Sequence, residues 1–425
     1  MKNIIASVLF SALAISASAQ ISTNSPSSMY GLGVLNDRAT GFNRGMNGVG
    51  VAMSEHNQVN VINPASYSQI DSLTFIFDVG MTGQMSAFTE NGKTITANNA
   101  GVDYAVASFR LRKHLGMSFG FQPLSFVGYE FAFKDKNVTS YTHTYKGNGG
   151  LQEAFLGAGW QPVKNFSVGF NGSYVWGQIN NGVTSSSTNT SNNTIYRSYS
   201  SNIGTYRFEF GVQYGQNVTA KDRASVGATY SVGHKINRPA YCTVTSVDNM
   251  ASESYSKDHV LSDAFSLPDI YAVGVAWNHS SKWTIGADYN LQKWGSLKMP
   301  LFVNGTDAGY QMVNDVYMDR SRISIGGSVL PNIYSRNFFN RVRYSAGLAY
   351  SSPYLKINGH DGPKEYSATV GFAIPVMNAY NNRSVLNISA QWAHAAAKDM
   401  INTTTWRINV GITFNERWFA KWKVE

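Results

Sequence analysis

A strict alternation of apolar and polar residues recurs along this chain from Leu73 onward, and it restricts most of the chain to β structure. In the run 406–414 every second residue is apolar, and the residues between them are Arg407, Asn409, Gly411 and Thr413. The runs 206–214 and 386–392 repeat the pattern. A period of two gives each strand one apolar and one polar face. The alternation therefore predicts an all-β fold of amphipathic strands.

Fourteen segments carry this alternation, and their lengths cluster near the 9–11 residues that cross a bilayer at a tilt of about 45°. The alternative is a soluble β-sandwich, whose strands also alternate. Only 14% of the residues are charged, against about 25% in soluble domains, and bacterial outer-membrane barrels have an even number of strands. The pattern predicts a 14-stranded antiparallel transmembrane outer-membrane β-barrel with strands at 73–81, 102–112, 115–126, 150–161, 165–177, 204–215, 223–233, 269–278, 282–291, 320–330, 341–350, 364–374, 384–394 and 403–414.

The connections between these segments alternate in length. Short turns such as Lys113-His114 and Asn278–Lys282 are followed by long polar stretches such as 178–203 and 234–268. Short periplasmic turns and long external loops are typical of a spanning barrel, whereas a sandwich gives no reason for every second loop to be long. Tryptophans also fall at segment ends, where their amphipathic rings would meet the headgroups: Trp160, Trp277 and Trp283 at short turns, and Trp176, Trp392 and Trp406 at long loops.

Residues 1–19 have the features of a secretory signal peptide. Lys2 is followed by an apolar core from Ile4 to Ile15 and by Ala17-Ser18-Ala19, an A-x-A cleavage site. The mature chain is therefore expected in the cell outer membrane, with no nucleic-acid partner. Its formal net charge of +9 suits phosphate groups, so the expected surface partners are outer-membrane lipids and lipopolysaccharide.

Patterns for catalysis or metal binding are weak. The run Gly116–Gly120 matches G-x-S-x-G, but a serine hydrolase presents its serine on a strand–turn–helix elbow, and here the run lies inside a predicted strand. No pair of histidines has the spacing of metal ligands. The single Cys242 excludes a disulfide framework or a thiolate site. We expect no enzymatic activity, no cofactor and no metal.

The segment 20–70 lacks alternation and precedes the first strand. The run Gly45–Ala52 consists mostly of small residues, which favours a packed plug (hatch) inside the lumen over a flexible tail. The expected domains are then this plug, a barrel at 71–414, and a periplasmic tail at 415–425 in which aromatic and cationic residues are interleaved.

The residues from Gly45 to Ala52, followed by Asn63-Pro64-Ala65-Ser66 just before the first strand, resemble the hatch of the FadL/TodX family. That family comprises outer-membrane transporters of long-chain fatty acids and other hydrophobic compounds. The resemblance covers about residues 30–414 and implies a fourteen-stranded barrel with an N-terminal plug. A second patch is similar to the same family: Leu267-Pro268 opening a strand, Lys282–Tyr289, and Trp294.

The resemblance implies a transport route in which outer loops catch a hydrophobic ligand, the plug shifts, and a kinked third strand gives a lateral exit. The matching residues are Asn63, Pro64, Ala65 and Ser66 in the plug, and Gln122, Pro123 and Gly128 at the strand break. Ligand contacts would come from Phe126, Tyr129, Phe131 and Phe133. Because proline cannot donate a ladder hydrogen bond, Pro123 predicts a local break in pairing. Alternatively, Pro123 ends the strand and Ser125–Phe133 is an external β-ribbon.

Two features depart from the family. The inferred lumen-facing positions carry both signs of charge, which favours a hydrogen-bonded, filled interior over an apolar conduit: Arg207, Glu209, Asp288, Arg322, Arg343, Glu365 and Arg407. The tail Arg417–Lys423 is expected to lie at the headgroups or to dock other outer-membrane or periplasmic proteins. Two functions follow. We prefer passive uptake of a hydrophobic small-molecule ligand; the alternative is a non-transporting accessory subunit of an outer-membrane protein secretion or assembly machine.

Overall fold

Fourteen antiparallel strands form one closed barrel, which confirms the predicted fold class. The computed structural model describes residues 23–134, 141–189, 191–303, 309–357, 359–376, 384–398 and 400–417. Closure comes from β1, which pairs with both β2 and β14. The strands are β1 (Thr74–Glu90), β2 (Lys93–Arg112), β3 (Leu115–Lys134), β4 (Tyr141–Val163), β5 (Phe166–Ser187), β6 (Thr194–Asn217), β7 (Asp222–Ser231), β8 (Ile270–His279), β9 (Trp283–Gln292), β10 (Arg320–Val329), β11 (Arg343–Ser351), β12 (Lys364–Val376), β13 (Ser384–Ala396) and β14 (Asn402–Arg417).

Short elements precede the barrel and connect its strands. Residues 23–70, which we call the hatch, contain two 3₁₀ turns (Pro26–Met29 and Pro64–Gln69), a two-residue strand (Val34–Leu35) and one helical turn (Gly41–Arg44). Among the described residues no helix is long and apolar enough to cross a bilayer. The connections contain the helical turn Phe338–Arg341 and the short strands His234–Ile236, Ala240–Val247, Ser254–Leu261, Phe265–Leu267, Met299–Val303, Gly309–Val313, Lys356–Ile357 and His360–Asp361.

The first six strands are longer than predicted, at 17 to 24 residues. The stretch 178–203, predicted as a long loop, consists largely of strand extensions, because β5 and β6 stay paired from Phe166↔Tyr214 to Ser185↔Ile195. The prediction was wrong because Ser, Thr and Asn occupy both faces of these extensions, so the period of two is lost where no lipid demands an apolar face. β14 likewise continues to Arg417, past the expected barrel end at 414.

The apolar face of the wall points outward and the polar face points into the lumen. Val273, Ile325, Leu348 and Ile408 are each more than half exposed. The residues that alternate with them are buried and mostly polar or small, as Asp288, Ser324 and Asn409 illustrate on β9, β10 and β14. A soluble sandwich would bury its apolar face, so this arrangement is that of a lipid-facing wall.

Apolar side chains inside the barrel form three clusters. Within the hatch, Phe42, Met46, Val49 and Met53 pack together. A second cluster joins hatch residues to the wall: Val59, Val61, Tyr67 and Ile70 with Ile76, Tyr104, Val106 and Phe155. The third and largest lies at the long-loop end and includes Leu32, Leu151, Val175, Ile203, Cys242 and Trp294. The hatch therefore joins the barrel through a shared apolar core as well as through polar contacts.

We predict that Leu348→Arg destabilises the barrel by about 2–4 kcal/mol, the cost of an arginine at the bilayer midplane. Leu348 is 65% exposed on the lipid face of β11. Ile95→Arg is the matched control, because Ile95 is 72% exposed near the far end of the long β2, where water replaces lipid. Urea titration of barrels folded into lipid vesicles measures both variants. Equal losses for the two would contradict the assigned lipid face.

Candidate functional site: the hatch–wall interface

The plug motif folds into a tight turn against the wall. Asn63 is fully buried and caps the 3₁₀ turn Pro64–Gln69, because its side-chain oxygen accepts a hydrogen bond from the Ala65 N–H at 3.0 Å. Its amide nitrogen donates to the carbonyl oxygens of Val51 and Val212, at 2.7 and 3.1 Å. Asn63 thus links two parts of the hatch to β6. Ser66 donates to the Asn60 carbonyl at 2.9 Å.

Glycines on ten consecutive strands, β3 to β12, receive the hatch. A Cβ built on any of them would lie within 3.0 Å of a hatch atom; at Gly169 it would be 2.2 Å from the Pro64 carbonyl carbon, and at Gly227 it would be 2.2 Å from the Val51 oxygen. Where the nearest hatch atom belongs to the backbone, as at Gly169 and Gly227, no larger side chain fits without displacing the hatch. We call this set the glycine belt: Gly116, Gly159, Gly169, Gly211, Gly227, Gly274, Gly286, Gly326, Gly347 and Gly371.

Four charged hatch residues pair with opposite charges on four strands of the wall. Arg38 binds both carboxylate oxygens of Glu209 on β6, at 2.6 and 2.9 Å. The other pairs are Arg44 with Asp103 on β2 at 2.6 Å, Glu55 with Arg343 on β11 at 2.9 Å, and Asp37 with Arg322 on β10. These contacts hold the hatch from several sides at once.

The environment of these charges favours their ionised forms. Burial alone would raise the pKa of Asp37, but the neighbouring Arg322 guanidinium outweighs burial and lowers it. Burial likewise would lower the pKa of Arg38, and the Glu209 carboxylate reverses that effect and raises it. On β9, Asp288 accepts hydrogen bonds from the Gly50 and Val51 N–H groups at 2.6 and 2.9 Å. Ion pairs and hydrogen bonds to charged groups therefore hold the hatch in the lumen.

Of the seven inferred lumen-facing charges, four contact the hatch. Glu209, Asp288, Arg322 and Arg343 bind it directly, as described above. Arg207 instead pairs with Glu153 across the wall, at 3.2 Å. The remaining two, Glu365 and Arg407, line a cavity of about 210 Å³ beside the hatch. Sequence reasoning identified these wall positions but missed their hatch partners, whose sequence context shows no alternation.

Pro123 lies inside β3 and does not end it. The β3–β4 register shifts between Pro123 and Ser125, which marks a bulge, and β3 then continues in pairing with β4 to Lys134. On its other side, the pairing of β3 with β2 stops at Ala105↔Phe121. The predicted local break is therefore present as a bulge with a parting of β2 from β3. Pro123 does not end the strand, but beyond it the described residues Ser125–Phe133 pair with β4 and no longer with β2, as the ribbon of the alternative would.

The N-terminal part of the hatch occupies the edge of β3 above this parting. Val34 and Leu35 pair with Phe126 and Ser125. Asn36 donates from its backbone to the Leu124 carbonyl at 3.0 Å and from its side chain to the Pro123 carbonyl at 2.9 Å. The Ser28 hydroxyl and the backbone of Gly128 are hydrogen-bonded, at 3.1 and 3.2 Å. In this conformation the edge that a lateral exit would expose is covered.

The remaining residues of the predicted break and the predicted ligand contacts do not all lie on the same face of β3. Gln122 is buried and donates to Glu153 at 3.2 Å. Phe126 borders the lumenal cavity. Tyr129 donates to Asn181 at 2.8 Å, and its ring begins an aromatic row on β3 and β4 with Phe131, Tyr145 and Phe133. The four predicted contacts therefore do not line one pocket.

The 210 Å³ cavity has a mixed lining. It includes the charged side chains Asp37, Arg320 and Arg407 and the apolar side chains Leu35, Phe126 and Leu355. Pockets for drug-sized ligands have volumes of about 300–1,000 Å³ and are mostly apolar, so this cavity is small and charged by comparison. In the described part of the chain no group of three or more His, Cys, Asp or Glu side chains is arranged to hold a metal ion.

The predicted signal peptide (1–19) and most of the predicted tail, including residues 418–423, lie outside the described residues. Their roles stay predictions. Two further tail residues are described. Glu416 pairs with Phe75 and Arg417 pairs with Thr74, and these two residues end β14.

Comparison with solved structures gives the same barrel at low sequence identity. The toluene transporter TodX of P. putida superposes with a TM-score of 0.63 at 13% identity, covering 93% of this chain and 100% of TodX. A Pseudomonas aeruginosa FadL homologue gives 0.63 at 10% identity, covering 91% and 99%. The CymD monoaromatic hydrocarbon channel gives 0.60 at 14% identity, covering 92% and 99%. A search of curated proteins finds no match.

The closed fourteen-stranded wall with its lumenal hatch defines the fold: the chain is a fourteen-stranded barrel like those of TodX and the FadL homologue, and the resemblance inferred from the sequence is confirmed for the fold. A family model described as BamG matches residues 1–425, the entire chain. The chain belongs to the BamG family.

We predict that Gly169→Val displaces the hatch, because the added methyl groups would overlap the Pro64 carbonyl. The expected cost is about 1–3 kcal/mol of stability, with faster trypsin cleavage at Arg38 and Arg44. Gly83→Val is the matched control, since no atom lies within 4 Å of a Cβ built there. Unchanged cleavage of the Gly169 variant would contradict the packing described for the glycine belt.

We predict that Arg38→Met costs up to about 3–5 kcal/mol, because the buried Glu209 carboxylate loses its bidentate hatch partner and keeps only Asn171 at 3.2 Å and Arg207 at 3.8 Å. Adding Glu209→Gln should recover part of that loss, and a double-mutant cycle on thermal unfolding measures the coupling. The exposed pair Lys146–Glu130 is the control: Lys146→Met should cost less than about 1 kcal/mol. Additive losses at Arg38 and Glu209 would show that the pair is uncoupled.

Proposed function

We propose that this protein is a non-transporting FadL-like barrel that serves as an accessory subunit of the β-barrel assembly (BAM) machinery of the outer membrane. The observation that carries the proposal is the attachment of the hatch to the wall. The hatch packs against the glycine belt and forms ion pairs with four strands. Membership of the BamG family supports the choice of partner, the proteins of the BAM complex.

A transport cycle would have to move this hatch. Displacing it separates Arg38 from Glu209 and Arg44 from Asp103, and each separation takes the partner away from a charge that is buried while the hatch is seated. Breaking one buried pair costs about 3–5 kcal/mol. Several such pairs therefore oppose opening far more strongly than an apolar plug would.

The lumen also suits a hydrophobic cargo poorly. The cavity beside the hatch has apolar side chains such as Phe126 and Leu355 in its lining, but guanidinium and carboxylate groups such as those of Arg320 and Glu365 stand among them. An apolar molecule would have to remove water from these groups without giving back a hydrogen bond, which is costly. The chemistry of the lumen thus supports a structural interior, although a carboxylate headgroup would find cations there.

Uptake of hydrophobic compounds is the second candidate function. It is favoured by the fold shared with TodX and CymD, and by the parting of β2 and β3 at Gln122 and Pro123. On that hypothesis Asn63–Ser66 belong to the moving plug, Gly128 and its neighbours release Ser28, and Phe126, Tyr129, Phe131 and Phe133 meet the ligand. The tail Arg417–Lys423 is a docking segment on the first hypothesis only.

A disulfide lock separates the two candidates. Val34 and Phe126 are directly paired across the covered edge, at a spacing that antiparallel partners share with disulfides. We predict that Val34→Cys/Phe126→Cys, made with Cys242→Ala, keeps co-purification with BAM proteins and normal levels of folded outer-membrane barrels when oxidised. Each single-cysteine variant is the control. Fatty-acid uptake that stops on oxidation and returns on reduction, in a protein without BAM partners, would overturn the proposed function.

A further inference from the structure

The turns at the short-turn end of the barrel, which faces the periplasm in bacterial outer-membrane barrels, are cationic. Five of these turns are described, at 113–114, 164–165, 218–221, 280–282 and 330–342. Each contains lysine or arginine, and none of the five contains an aspartate or glutamate. Asp222, the first residue of β7, adjoins Lys221 and is hydrogen-bonded to His279, so the excess of positive charge belongs to the turns themselves. Positive turns attract partners of the opposite sign.

The fifth turn differs from the other four. The short turns each carry one lysine: Lys113, Lys164, Lys221 and Lys282. The β10–β11 turn has thirteen residues, carries Arg336 and Arg341, and adds four large apolar side chains that are all exposed: Ile333, Tyr334, Phe338 and Phe339. Tyr334 is 91% exposed and Phe339 68%. Connecting two adjacent strands needs only two to five residues, so the extra length has another use.

Hydrogen bonds order this loop. Asn332 donates from its backbone to the Asn340 carbonyl at 2.8 Å, and its side-chain oxygen accepts from the Tyr334 N–H at 3.0 Å. Asn337 caps the helical turn Phe338–Arg341 by accepting from the Phe339 N–H at 3.0 Å. The Tyr344 hydroxyl of β11 donates to the Phe339 carbonyl at 3.0 Å. The aromatic rings are therefore presented by a fixed backbone.

The composition of the loop is that of a protein interface. Tyrosine, phenylalanine and arginine are enriched in interface cores, and lysine is depleted. Arg341 lies over the Phe338 ring at 6.0 Å, which keeps a planar cation next to an apolar surface. Single lysines like those of the short turns suit lipid headgroups, and headgroup binding needs neither a thirteen-residue loop nor a fixed backbone. An ordered loop loses less entropy on docking.

We infer that the β10–β11 loop docks an acidic, partly apolar surface of a periplasm-facing BAM protein. Tyr334 and Phe339 insert into its apolar part, and Arg336 pairs with a carboxylate beside it. This inference rests on the proposed function and names the surface through which that function is exerted.

The experiment uses the full-length protein in intact cells. A photo-crosslinking amino acid replaces Tyr334, and a second variant carries it at Tyr255, which is 72% exposed on the strand Ser254–Leu261 at the opposite end. Position 334 should give a covalent adduct with a BAM protein and position 255 should not. Adducts with phospholipid alone at position 334 would overturn the inference.

Substitutions test the energetics. Arg336→Glu/Phe339→Ser should reduce co-purified BAM protein at least about tenfold, the effect of losing one interface hot spot. Lys282→Glu is the matched control, an exposed cation on a neighbouring turn, and should change co-purification less than about twofold. Heat-modifiable mobility on gels verifies that each barrel folds.

The outcomes separate the two proposals. An undiminished complex in the folded Arg336→Glu/Phe339→Ser variant, or an equal loss in Lys282→Glu, overturns the docking loop and leaves the accessory role standing. A wild-type protein that co-purifies with no BAM protein overturns the accessory role and the docking loop together.

Discussion

The close approach of the hatch backbone to the wall is the contact on which the rest of the interior depends. At ten strands the wall residue facing the hatch is glycine, and a single methyl group would collide with hatch atoms. Close packing of this kind brings backbone against backbone, so the hatch contributes mainly its main chain and short side chains such as Asn63. The inner surface of the barrel and the outer surface of the hatch are consequently complementary in shape.

Charge pairing follows from that geometry. With the hatch held against the wall, Asp37, Arg38, Arg44 and Glu55 meet their partners over short distances. A buried ion pair adds little net stability compared with apolar packing, but a broken pair is costly. The pairs therefore add little to the stability of the folded protein but raise the free energy of any state in which the hatch has moved. This property is expected of a plug that stays in place.

The wall was predictable and much of the interior was not. Alternation predicts the number of strands and places Asp288 and Arg322 on the lumenal side of the barrel, because lipid imposes a strict period of two on the strands. The extensions of β5 and β6 escaped prediction because water imposes no such period. The role of glycines such as Gly169 and Gly211 also escaped prediction, because only the fold shows that they face Pro64 and Asn63. Partners such as Arg38 and Glu209 are 171 residues apart, and pairing at that separation is set by barrel closure.

The bulge at Pro123 leaves a strand edge that the hatch covers, and this contact bears on function. A strand that bends away from its neighbour exposes backbone donors and acceptors, and such an edge is stable only when it is covered. Here residues of the hatch, Val34 to Asn36, supply the missing pairing. In this structure the interrupted edge is one of the places where the hatch is attached to the wall. A shared barrel does not imply a shared activity, since the same interruption in a strand can be an exit or an anchor, depending on how firmly its cover is held.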